Sequence, residues 1–151
     1  MELAIETATP PPPAPLQRHV NYRDLTKLLV SIEKRLDGPP WADPIIPSLL
    51  ESLVLHLEAH LETELGQSFR ELAEEDPRLT APIDALVRDG YEVLFRAKDL
   101  ANRGRRQPRI RTTWVALGRA VRDLHAACEK QEAAERELLN EAYQRDIGAR
   151  D

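Results

Sequence analysis

Four histidines, one cysteine and 26 carboxylates are the side chains of this 151-residue chain best suited to hold a metal or move a proton. Imidazole and carboxylate come together in the run His60-Leu-Glu-Thr-Glu64. At about 100° per residue, His60 and Glu64 fall in the same helical arc as Leu53 and Leu57, stacked one turn apart. A carboxylate buried without a partner costs several kcal/mol, so Glu64 on an apolar stripe needs a metal, a cation or solvent. Glu135 repeats the pattern between Cys128 and Leu138, and His19 lies at the edge of an earlier stripe. Imidazole and carboxylate on facing helices form the donor set that non-haem iron uses inside bundles. The same residues admit a metal-free reading, with His60 at the core edge and Glu64 and Glu135 on solvated flanks of wide stripes.

Other reactive residues point to no further chemistry. His56 precedes His60 by one turn, but the run is H-L-E-A-H and not the H-E-x-x-H of metalloproteases, so His56 reads as exposed. His125, beside Leu124, reads as an edge residue. Cys128 is alone, which excludes a disulfide framework or a thiolate zinc cluster within one chain, and it reads as a small buried hydrophobe. The segment Arg103 to Arg111 is the main cationic cluster. It is either a solvated loop or a contact for a phosphate-rich or acidic partner. No Ser-His-Asp set, phosphate loop or dinucleotide fingerprint is present.

These residues must be positioned by helices. Aromatics are 5% of the chain and glycines number 6, against 42% hydrophobic and 31% charged residues, a helix-forming globular composition. The 12 prolines are grouped and leave Pro-free windows at 16–38, 48–76, 83–107 and 109–151. Tyr22, Leu25, Leu29, Ile32 and Leu36 face one side of the first helix, which Gly38-Pro39-Pro40 stops. The second starts near Asp43-Pro44 or at Ser48, where Ser48 and Glu51 are a candidate capping box, and carries Leu50, Leu53, Leu57, Leu61, Leu65 and Leu72. The third begins after Thr80 with Pro82 in its first turn, and shows Ile83, Leu86, Leu94 and Leu100. Residues 102–108 read as a basic loop. The fourth runs from about Arg109, with Trp114, Leu117, Val121, Leu124, Cys128, Leu138 and Ala142 on one stripe.

The expected fold is all-α, an up-down-up-down antiparallel four-helix bundle over residues 16–147. A Pro-rich leader over 1–15 and a tail over 148–151 flank it. Twenty-one basic against 26 acidic side chains leave a net charge of −5, which disfavours a generic nucleic-acid binder. No apolar run approaches the roughly 20 residues of a membrane span. The opening MELAIETATPPPP lacks the pattern of a secretory signal, so a cytoplasmic location is expected.

The order of these residues resembles the hemerythrin-like (HHE cation-binding) family. That family's pattern is a His on helix 1, H-x-x-x-E on helix 2, His or H-x-x-x-H on helix 3, and H-x-x-x-x-D/E on helix 4. His19 answers the first element. His60 and Glu64, followed by Phe69 and Leu72, answer the second. On helix 3 the expected histidines map to Asp89 and Val93, and on helix 4 Lys130 stands where a His belongs, with Glu135 five residues on. The resemblance covers about residues 16–145 and implies a four-helix bundle with a degenerate di-iron site. One half-site is kept at His19, His60, Glu64 and Glu135, while the other is lost at Asp89, Val93 and Lys130.

Two main states of the centre follow from the resemblance, beside a surviving two-metal site completed by ligands outside its motif. In one, His19, His60, Glu64 and Glu135 hold a single Fe, Mn or Zn ion, with Lys130 standing in for the missing metal and Asp89 as its other partner. In the other no metal is bound, Lys130 pairs with Asp89, and the histidines hydrogen-bond to Glu64 and Glu135. The function expected first is a non-catalytic helical regulatory or interaction module with a protein partner. A non-haem metal sensor or store is the alternative, and a small metal enzyme has the least support.

Overall fold

The computed structural model describes residues 15–38 and 43–150, with side chains described over 22–38 and 43–144. The expected leader lies outside the described residues except for Pro15, which opens the first helix. That helix, α1, spans Pro15–Leu36. It buries Tyr22, Leu25, Leu29, Ile32 and Leu36, the alternating three- and four-residue step of one helical face. Gly38 follows with φ +93°, a left-handed conformation that glycine adopts without steric penalty.

The second element is one long helical rod in three parts: α2 (Ile46–His60), π-helical turns over Leu61–Ser68, and α3 (Phe69–Glu75). It starts at Ile46, close to the expected Asp43-Pro44 start and before the Ser48 capping box. Ser48 lies inside the helix, and no side chain caps Ile45. Asp43 organises the entry instead, accepting from the Ile45 N–H at 3.1 Å and from Arg35 at 2.9 Å. The backbone hydrogen bond and the Arg35 guanidinium hold its carboxyl below the usual carboxylate range. In the π turns the Phe69 N–H reaches back to the Glu64 carbonyl, five residues away. The extra residue per turn rotates the rod, so Leu61, Leu65 and Phe69 join the core beside the row of Leu53, Leu57 and His60.

Asp76 ends the rod and caps a 3-10 turn over Pro77–Leu79 by accepting from the Arg78 N–H. Helix α4 then spans Thr80–Arg106, with Pro82 in its first turn as expected. It continues through most of the segment expected to be a loop: Asn102 to Arg106 are helical, and Gly104 is buried against Leu50. Arg105 is anchored by Glu51 and by Asn102. The reason is packing, because Leu100, Ala101 and Gly104 extend the buried stripe past Asn102. Helix α5 spans Arg111–Arg150 and so includes residues 148–150, expected to be a tail.

Four helical elements pack against one another, and no strand occurs among the described residues. α1 packs on α2 and α5, and α4 packs on α2 and α5, which closes a ring around one core. Along α1 and α5 the contacts run in opposite order: Tyr22 meets Glu135, Glu33 meets His125, and Leu36 lies beside Gly118. Each fully buried leucine in such a core contributes about 1.5–3 kcal/mol relative to exposure. Among the described residues no helix is long and apolar enough to cross a membrane.

Candidate functional site

Three elements bring a polar cluster into the core. Tyr22 comes from α1, His60 from the last turn of α2, and Glu135 from α5. The Tyr22 hydroxyl donates to Glu135 Oε2. His60 Nε2 stands 3.0 Å from Glu135 Oε1 and 3.1 Å from Oε2. The Tyr22 and His60 rings meet edge to face, with centroids 4.7 Å apart. His60 is 8% exposed and Glu135 5%, so the exchange happens out of bulk water.

The carboxylate fixes the imidazole. Both Glu135 oxygens are acceptors, so Nε2 must carry a proton, and a neutral ring then keeps its lone pair on Nδ1. That Nδ1 is buried and has no hydrogen-bond partner. Burial, reinforced by the Glu135 charge and hydrogen bond, pushes the Tyr22 phenol above its ordinary value. Cys128, next along the α5 stripe, is pushed up to about 12, chiefly by burial, and is therefore a protonated, unreactive thiol.

The residues of the expected half-site are placed as follows. His60 and Glu135 are in contact. Glu64 is buried one turn beyond His60, in the π turns. His19 lies in the first turns of α1, three residues before Tyr22, and its side chain is outside the described residues. Among the described residues no group of three His, Cys, Asp or Glu side chains is placed to hold a metal ion.

The expected substitutes on the other side need correction. Val93 is buried, but Asp89 and Lys130 are both exposed, and Asp89 pairs with its neighbour Arg88 at 3.4 Å. Among the described residues the expected Lys130–Asp89 pair is not formed. The residue facing inward on α5 is Gln131, whose amide donates to the Leu86 carbonyl of α4 at 2.9 Å. On α4 the inward residue is Gly90. A Cβ there would stand 2.7 Å from Leu61, 3.0 Å from Leu65 and 3.3 Å from Gln131. The side of the core facing α4 is thus filled by leucines brought round by the π turns, leaving a void of about 10 Å³, at most one water.

Tyr22 and Gln131 are the cluster members that sequence reasoning missed. Tyr22 was legible as an apolar stripe residue, though its hydroxyl demanded a partner once buried. Gln131 completes the rhythm 114-117-121-124-128-131-135-138 on α5, which Lys130 does not. No family model matches this chain, and no curated protein or solved structure matches it either.

Proposed function

We propose that this chain is a hemerythrin-like domain whose di-iron site has become a structural polar cluster, and that it serves as a non-catalytic, cytoplasmic regulatory or interaction module. The observation that carries this reading is the state of Glu135. Its two oxygens are engaged by Tyr22 and His60, and the neighbouring region is filled by Leu61 and Leu65 closing on Gly90. An up-down-up-down bundle is supported by the ring of contacts and by the opposed order of contacts along α1 and α5. The clustered hydrogen bonds then tie α1, α2 and α5 together where the family would place metal.

The test is Glu135→Gln measured by urea unfolding in chelator-treated protein. Glutamine keeps the shape, but its amide nitrogen cannot accept, so one of the two donors goes unmet. A loss of about 2 kcal/mol is expected, the scale of a buried hydrogen bond to a charged group. Metal-free wild type and variant of equal stability would contradict the reading.

A single-metal half-site is the second reading, and one distance favours it. Two donors about 2.1 Å from one ion at right angles stand roughly 3 Å apart, the separation of His60 Nε2 and the Glu135 oxygens. His19 and Glu64 would complete the set, and an Fe, Mn or Zn ion held there would supply Lewis-acid chemistry, with redox chemistry only from Fe or Mn. The described donors alone fall short of such a set.

A further inference from the structure

A shallow cleft of about 60 Å³ opens between α1 and α2, on the outer side of His60. It is lined by Tyr22, Leu25, His56, Ala59 and His60. The two histidines are four residues apart on one helix and therefore neighbours on its surface. Each is held in a defined tautomer by a different acceptor. His56 Nδ1 lies 2.8 Å from the Ser52 carbonyl. A carbonyl only accepts, so Nδ1 carries the proton and Nε2 keeps the lone pair. His60 is the mirror case: Nε2 stands against the Glu135 oxygens, so the neutral ring has its lone pair on the unpartnered Nδ1.

A ring that donates through one nitrogen to a carbonyl or carboxylate and offers the other as a lone pair is in the form a ligating histidine takes. We propose that His56 and His60 form a two-imidazole site for a borderline divalent cation of the Zn²⁺, Ni²⁺ or Cu²⁺ class. His56 Nε2 and His60 Nδ1 are the donors, and water fills the remaining positions. Imidazole pairs favour these ions over Mg²⁺ and Ca²⁺, which prefer oxygen. His56 is exposed, so the ion enters from solvent, while His60 joins the site to the Tyr22–Glu135 cluster. This site uses the opposite nitrogen of His60 from the one a half-site with Glu64 and Glu135 would use, and it stands independently of that reading.

Calorimetric titration of the full metal-stripped chain with zinc chloride, in chelator-free buffer, tests the site. His56→Ala is the decisive variant because an exposed side chain is replaced, and Glu64→Gln is the control. The proposal expects one saturable equivalent per chain and affinity weaker by on the order of tenfold or more in His56→Ala. It expects Glu64→Gln to bind as wild type does, and zinc to shift the ¹⁵N resonance of His56 Nε2. Wild-type affinity in His56→Ala overturns the proposal. If Glu64→Gln then loses the ion, zinc sits on the Glu64 side of His60. Absence of saturable binding by wild type also overturns it.

Discussion

Tyr22 is the side chain on which the centre depends most, because a phenol in a core has to spend its hydroxyl somewhere. Here it meets Glu135, which already holds His60. Tyr22→Phe removes one donor and leaves the packing intact, and is expected to cost about 2 kcal/mol in urea unfolding. Burial gives a second consequence. Cys128 sits at about 12 in the fold against an ordinary value near 9.0, and Tyr22 is raised as well. Both groups stay protonated in the fold while the unfolded chain releases protons at lower pH. The contribution of Cys128 is therefore complete below about pH 9 and lost as pH rises toward 12, and that of Tyr22 declines as pH rises above about 10. Urea midpoints should fall across that window, and less steeply in Cys128→Ala. The folded thiol should also resist alkylation that proceeds readily once the chain is unfolded. His60, Glu64 and Glu135 were legible as polar residues on buried stripes. Lys130 was not correctly placed, because five residues before Glu135 is 140° around the helix, whereas Gln131, four before, is only 40° away.

At the scale of elements, what was legible was periodicity. Over the described side chains the stripes of α1, α4 and α5 follow the three-four step, and prolines mark most of the breaks. The π turns were not legible: Leu61–Ser68 carries no composition that separates a widened turn from an α-helical one, and only packing of Leu61 and Leu65 against Gly90 reveals the need for it. Two glycines inside helices can now be told apart. A Cβ at Gly90 meets three side chains at 3.3 Å or less, so Gly90→Ala is expected to destabilise by about 1 kcal/mol through overpacking. At Gly118 the nearest atom is Leu36 Cβ at 3.7 Å, ordinary contact. Gly118→Ala should stabilise by about 1 kcal/mol from helix propensity. Thermal melts of the two variants beside wild type check both signs.

For the whole molecule, the ring of α1, α2, α4 and α5 encloses a polar cluster within a largely apolar core. The cluster joins helices that are distant in sequence: Tyr22 and Glu135 are 113 residues apart. His125 repeats the tie nearer the other end of α1, bonding Glu33 at 3.1 Å. The central claim is that this interior is structural rather than a working iron centre. Iron and manganese content per chain tests it most directly, on full-length protein expressed with iron and purified without chelator, beside His60→Ala. The account predicts only background iron and manganese in both samples. One or two equivalents in wild type, lost in His60→Ala, would contradict it.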